Sequence, residues 1–127
     1  MIASFYVFLG AGIGGVLRHL FNVGCGRLFG GHFPFGTLGV NIIGSFVIGL
    51  AAAWFAFRGS GGVSQHMRLL LITGVLGGFT TFSSFSLDAA LLWERGAIAA
   101  AASYVVASVV LSLAAVFAGL ALMRSLS

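Results

Sequence analysis

The sequence predicts an all-α integral membrane protein, a single domain over residues 1–127 with four membrane-spanning helices, the third broken near its middle. Of the 127 residues, 60% are hydrophobic and only 6% are charged, whereas about 25% charged residues is usual for a soluble domain. The apolar residues fall into four stretches, each long enough to cross a bilayer as a helix. The third stretch is interrupted by glycines and hydroxyl residues, which membrane proteins tolerate where backbone is buried in protein or lines a wet cavity.

The first span is predicted over residues 3–23, and it is rich in glycine. Gly10 and Gly14 have the four-residue spacing that lets membrane helices pack closely. Three of its glycines also satisfy the pattern GxGxxG, but that nucleotide-binding fingerprint needs a βαβ unit and an acidic residue about 20 positions later. The first acidic residue is Asp88, so we do not interpret the pattern as a nucleotide site.

The second span is predicted over residues 35–57, after a loop at about 24–34. Thr37, Asn41 and Ser45 recur every four residues, which places three polar groups on one helical face. The amide of Asn41 could either hold neighbouring helices together or donate hydrogen bonds to an anion. The spacing alone leaves both roles open.

The third span is predicted over residues 66–93, with a break near 75–81 in the sequence GVLGGFTTFSSFSLD. Broken helices with exposed carbonyls are how membrane proteins build ion sites, so we interpret this stretch as the centre of an ion-conducting protein. Phe82 and Phe85 share one helical face. Such pairs usually pack in a core, but their electropositive ring edges could stabilise a small anion.

The fourth span is predicted over residues 97–123, without any charge. Tyr104, Ser108 and Ser112 form a polar stripe at four-residue spacing. Hydroxyls donate hydrogen bonds, and we expect the only two carboxylates of the chain near the end of the third span. Many donors with few carboxylates favour an anion over a cation, although serines often bond to carbonyls of their own helix.

The arginines are balanced between the two sides of the predicted bundle. The side of the termini has Arg58, Arg68 and Arg124, and the other side has Arg18, Arg27 and Arg95. The positive-inside rule therefore gives almost no orientation signal. The chain could insert both ways up and pair as an antiparallel dimer, or one or two arginines could be misassigned and a weak bias exist.

An enzyme is not predicted. No buried carboxylate pair is available for acid–base chemistry, and His19, His32 and His66 lack metal-ligand spacing. The serines lack a base with an orienting acid beside it. The single Cys25 excludes a disulfide framework and a multi-cysteine metal site.

Three motifs make the sequence resemble the small fluoride channels of bacteria, the Fluc or CrcB family. They are GAGIGGVLRH in the first span, FGTLGVNIIGSFVIG in the second and GVLGGFTTFSSFS in the third. The chain departs from the family pattern at His19, where tyrosine is usual, at Ser84, where threonine is usual, and at Asp88, where glutamate is common. The resemblance covers the whole chain.

The resemblance implies a passive fluoride-selective channel in the bacterial inner membrane, built as an antiparallel homodimer with two pores at the interface and a central structural sodium ion. To the fluoride pore it assigns Asn41, Phe82, Phe85, Tyr104, Ser108 and Ser112. It assigns Arg18 to the vestibule, and the backbone carbonyls of Gly77 and Thr80 from both subunits to sodium. The membrane potential, worth about 2.3 kcal/mol per charge per 100 mV, would expel fluoride that entered as hydrogen fluoride.

Two other functions are compatible with four spans. Small multidrug transporters also have four spans and can be dual-topology, but they exchange protons for cationic drugs through a carboxylate in the membrane, and the first span here has none. A membrane assembly subunit without transport activity would tolerate substitution of Asn41 and of the two phenylalanines.

Overall fold

Four long apolar helical stretches make up the computed structural model, which describes residues 1–58 and 65–126. In chain order the helices are α1 (Ile2–Phe29), α2 (Phe35–Arg58), α3 (Gln65–Arg68), a π-helical segment (Leu69–Leu76), α4 (Gly77–Phe79), α5 (Phe82–Glu94) and α6 (Ile98–Leu126). The stretches able to span a membrane are Ile2–Phe29, Phe35–Phe57, Gln65–Glu94 and Ile98–Leu126. The predicted four-span helical class is therefore confirmed. The connection at 59–64 lies outside the described residues.

Two helices run further than the hydrophobic pattern predicted. The expected loop at 24–34 is wrong in its first half, because α1 continues to Phe29. Glycine inside a helix costs only about 1 kcal/mol, so the glycines at this end do not stop α1. It stops at Gly30, whose φ of 80° takes the chain out of the helix and whose N–H donates to Gly26 O. The last helix likewise passes residue 123 and ends at Leu126.

Glycines bring the helices together in two pairs. α1 packs against the first half of the third span, where a Cβ added at Gly74 would lie 2.8 Å from the Cα of Gly10. α2 packs against α6, where a Cβ added at Gly49 would lie 3.2 Å from the Cα of Gly119. At both crossings the backbones touch, which is the close approach that small residues permit in membranes.

The break in the third span gives its two halves different neighbours. The first half lies along α1, whereas α5 packs against α6. A small core forms at the α5–α6 contact, where Leu92, Ala101 and Tyr104 are buried. Much of the remaining apolar surface is exposed, including Phe8 and Phe117. Such a surface is suited to lipid or to another copy of the chain.

Candidate functional site

The third span is interrupted at Thr80 and Thr81, which lie inside the interval predicted for the break and have extended backbone torsions. Each threonine caps one of the flanking helices. Thr80 Oγ1 donates to Leu76 O at 2.9 Å, and Thr81 Oγ1 accepts from Ser84 N at 3.1 Å. The Thr81 hydroxyl thus satisfies an N–H group that a helix start otherwise leaves without a partner. Leu76 O also accepts from Thr80 N at 3.0 Å, so the Thr80 hydroxyl gives it a second hydrogen bond.

Asn41 on α2 binds the broken backbone directly. Its Oδ1 accepts from Thr81 N at 2.8 Å, and its Nδ2 donates to Thr81 O at 3.0 Å. The amide therefore pairs with both backbone groups of one residue, as a neighbouring strand would. One Nδ2 hydrogen is left for another acceptor. Both roles considered for Asn41 from the sequence are compatible with this geometry.

The break also redirects the donors of two carbonyls. In a continuous α-helix Thr81 N would donate to Gly77 O, and Ser84 N would donate to Thr80 O. Here Thr81 N donates to Asn41 and Ser84 N to the Thr81 hydroxyl. Gly77 is exposed and has no side chain to cover its backbone. Oxygen atoms of this kind are the ligands that hard cations prefer, so Gly77 and Thr80 fit a sodium site.

A groove of 360 Å³ runs beside the break between α2, α5 and α6. We call it the inner groove, and its lining consists of Asn41, Ser45, Thr80, Thr81, Phe82, Phe85, Ser108, Val109, Ser112 and Leu113. None of these lining residues is charged. The hydroxyl oxygens of Ser108 and Ser112 are buried there without a hydrogen-bond partner. The inner groove is thus apolar, with a few unused donors.

Phe82 and Phe85 of the third span meet at one side of the inner groove. Their ring centroids are 5.5 Å apart with an interplanar angle of 51°. Phe82 is 77% exposed, whereas Phe85 also packs on Tyr104 with a centroid distance of 5.3 Å. The Phe85 ring is therefore supported by Tyr104, whereas the Phe82 ring projects from the surface of the chain.

Tyr104 is placed differently from the two serines of its stripe. It is completely buried and does not line the inner groove. Its hydroxyl donates to Asp88 Oδ2 at 3.1 Å. Asp88 was expected at the end of the third span, but it lies inside α5, where this hydrogen bond compensates part of the cost of placing a carboxylate among apolar helices.

A second cavity of 440 Å³ opens where α1 and α5 end, and we call it the end cavity. Its polar lining includes Asn22, Thr37, Ser84, Asp88 and Arg95. Arg18, the predicted vestibule charge, is half-buried on α1 and lines neither cavity. The sequence reasoning missed Thr81 and Arg95. The two adjacent threonines at the break were a usable signal for Thr81, whereas nothing in the sequence marked Arg95.

Comparisons with known proteins support the family resemblance that the three sequence motifs indicated. Residues 5–120 match the family described as CrcB-like protein, Camphor Resistance (CrcB). A relative named fluoride-specific ion channel FluC, from Rhodopseudomonas palustris (strain BisB5), is 57% identical over 95% of this chain and 96% of its own length. A protein of the same name from Agrobacterium fabrum (strain C58) is 58% identical over 99% of this chain and 99% of its own length. Another, from Rhizobium etli (strain CIAT 652), is 55% identical over the full length of both proteins. With a family match over most of its length and relatives this close, the chain belongs to the CrcB family.

Proposed function

We propose that this chain is a passive fluoride-selective channel. The inner groove carries the proposal because it offers hydrogen-bond donors without a carboxylate. A polar group buried without a partner costs about 1–3 kcal/mol. An anion that accepts from Ser108 and Ser112 would recover that cost. The hydroxyl oxygens could also face a cation, but no carboxylate among the lining residues would balance its charge. The relatives named fluoride-specific ion channels support fluoride as the anion.

The first turn of α5 adds positive potential to the same groove. A helix N-terminus carries roughly half an elementary positive charge, from N–H groups without helical partners. Thr81 caps only Ser84 N, so other N–H groups of this turn are available near the groove. The ring edges of Phe82 and Phe85 are electropositive as well. These donors favour a small anion that accepts hydrogen bonds strongly.

The functional unit in this proposal is an antiparallel homodimer with two pores along the interface. The inner groove is open on the surface of a single chain, and Phe82 projects from it. A second copy would close the groove. The even distribution of arginines is compatible with insertion in both orientations. A tandem fusion of two copies in opposite orientations should conduct; conduction only by a same-orientation fusion would contradict this arrangement.

A central sodium ion would be held by the carbonyls of Gly77 and Thr80 from both subunits, and it would supply a fixed positive charge between the pores. The redirected N–H groups at the break support these ligands. The dimer should melt at a lower temperature when sodium is replaced by N-methylglucamine. Equal melting temperatures in the two solutions would argue against the ion.

The channel would reside in the bacterial inner membrane, where the potential drives anions outward. Moving one charge through 100 mV is worth about 2.3 kcal/mol. A passive pore would therefore be sufficient to export fluoride.

Fluoride release from liposomes containing the purified protein tests the proposal, with chloride release measured in parallel. Rapid release of fluoride alone is expected, strongly reduced by Phe82→Ile. Ser108→Ala should slow it about tenfold, the equivalent of one hydrogen bond of about 1.4 kcal/mol. Phe117→Ile is the matched control, because Phe117 is 69% exposed on α6 and lies outside the inner groove. Fluoride release no faster than from empty vesicles would refute the channel, and proton-coupled efflux of a cationic dye would then favour a multidrug antiporter.

A further inference from the structure

Tyr104 on α6 contacts side chains from two other parts of the chain. Its ring packs on Phe85 of α5, with the centroids 5.3 Å apart, and on Phe33 of the α1–α2 connection, at 5.6 Å. Its hydroxyl donates to Asp88 Oδ2 at 3.1 Å. The side chain is completely buried, so these contacts determine its orientation. The Tyr104 ring therefore links the α1–α2 connection to a phenylalanine of the inner groove.

The hydrogen bond to Asp88 does not by itself fix the plane of the Tyr104 ring. The ring rotates about the axis from Cβ to the hydroxyl oxygen, and this rotation leaves the oxygen in place. The torsion has broad energy wells in aromatic residues. Phe33 meets the ring at an interplanar angle of 90°, an edge-to-face arrangement that aromatic pairs prefer. The Phe33 contact therefore restrains the rotation that the hydrogen bond permits.

Phe33 can restrain a neighbour because its own backbone is held on both sides. Arg95 Nη2 donates to the carbonyl of the preceding residue, His32, at 2.6 Å. Phe35 N donates to Phe33 O at 2.9 Å, and the rings of these two phenylalanines are 4.7 Å apart. The next residue is Pro34, which favours extended backbone at the residue before it. The α1–α2 connection thus presents the Phe33 ring in a fixed position.

Phe85 has only one buried aromatic neighbour among the ring contacts of the described residues. Its other ring partner, Phe82, lies at a centroid distance of 5.5 Å and is 77% exposed. Tyr104 is therefore the firm support for the Phe85 ring. A change in the plane of the Tyr104 ring would change the surface against which Phe85 packs.

We propose that Phe33 is a positioning residue for Phe85 and acts through the ring plane of Tyr104. The proposal rests on the proposed channel function, in which the electropositive edges of the two phenylalanines of the inner groove attract the anion. The face of a phenyl ring is electronegative, so a rotated Phe85 ring would repel the anion that its edge attracts. Phe33 would thus influence conduction without lining the inner groove itself.

Fluoride release from liposomes tests the effect on conduction. Phe33→Leu keeps an apolar side chain but removes the ring, and loss of one aromatic pair changes a population about two- to twelvefold. Release should slow by that factor. Phe33→Tyr should keep the wild-type rate because it retains the ring. Phe29→Leu is the matched control and should also keep it, because the ring contact described for Phe29 is with Phe35, at 5.1 Å, and not with Tyr104.

A fluorine label distinguishes positioning from a general loss of stability. The protein with para-fluorophenylalanine in place of Phe85 should give one fluorine NMR signal in fluoride-free micelles, and Phe33→Leu should shift or split that signal. The same label in place of Phe117 should be unaffected, since Phe117 lies on α6 outside the inner groove. These spectra require no fluoride transport, so they test the packing independently of the channel function.

Three results would refute the positioning role: an unchanged Phe85 label in Phe33→Leu, an equal disturbance of the Phe117 label, or a Phe33→Tyr variant as slow as Phe33→Leu. A shifted Phe85 label with a wild-type rate of fluoride release would also refute it, because the ring would then move without affecting conduction. Wild-type liposomes that release no fluoride would instead refute the channel function.

Discussion

Replacing Asn41 should destabilise the protein more than replacing any other polar residue of the inner groove. Thr81 is only 8% exposed, so water has little access to its N–H and C=O when the Asn41 amide is removed. Each backbone group left unsatisfied costs about 1–3 kcal/mol. Asn41→Ala should therefore lower the free energy of unfolding by about 2–6 kcal/mol, measured by reversible unfolding in mixed micelles containing SDS.

Ser45→Ala is the matched control for this prediction. Ser45 lies one turn further along α2 and lines the same groove, but no hydrogen bond to it is found in the described structure. Its replacement should change the free energy of unfolding by less than about 0.5 kcal/mol, as is usual away from such features. If Asn41→Ala is equally mild, or if both variants are equally destabilised, the paired hydrogen bonds to Thr81 do not hold the break.

Two further predictions concern helix packing and the buried tyrosine. Gly74→Ala should lower the free energy of unfolding by about 1–3 kcal/mol through overpacking, because the added Cβ would meet the α1 backbone. Gly12→Ala is the control and should be neutral or stabilising, because nothing lies within 4 Å of a Cβ added there. Equal effects of the two substitutions would contradict the close crossing of α1 with the third span. Tyr104→Phe should cost about 1.5–3 kcal/mol, since it removes a hydrogen bond to a carboxylate while keeping the ring. Tyr6→Phe is the control, since the described structure shows only a ring contact of Tyr6, with His66. Equal losses of unfolding free energy in the two variants would contradict the role of the Tyr104–Asp88 hydrogen bond.

The spans and the position of the break could be predicted because they depend on local composition. Long apolar runs indicate spans whatever their neighbours are, and a cluster of glycine and hydroxyl residues marks a break within one run. The predicted helix ends were less accurate. The end of α1 at Phe29 is set by Gly30, which has a positive φ, rather than by hydropathy. The inner groove brings together Asn41, Ser108 and Ser112, which the family resemblance, rather than spacing alone, assigns to one pathway.

The contacts that fix the site could not be predicted in this way. The Asn41–Thr81 pairing joins residues forty positions apart, and four-residue spacing says only that a polar group lies on a face. Tyr104 shares its periodicity with Ser108, yet its longer side chain carries the hydroxyl to Asp88 instead of into the inner groove. Side-chain length and the neighbouring helix determine which group a polar side chain contacts, and residue spacing in the sequence specifies neither.

A single pairing at the break can prepare sites for ions of opposite charge. Because Asn41 takes the N–H of Thr81, the carbonyl of Gly77 loses its helical donor and becomes a ligand suited to a cation. Because the chain restarts as a helix at Phe82, which lines the inner groove, the N-terminus of α5 lies beside the groove, and a helix N-terminus favours an anion. A continuous helix would bury both sets of groups in its own hydrogen bonds. Closing the break should therefore remove the proposed sodium binding and the proposed fluoride conduction together. A variant that loses only one of them would show that the two proposed sites do not depend on the same backbone geometry.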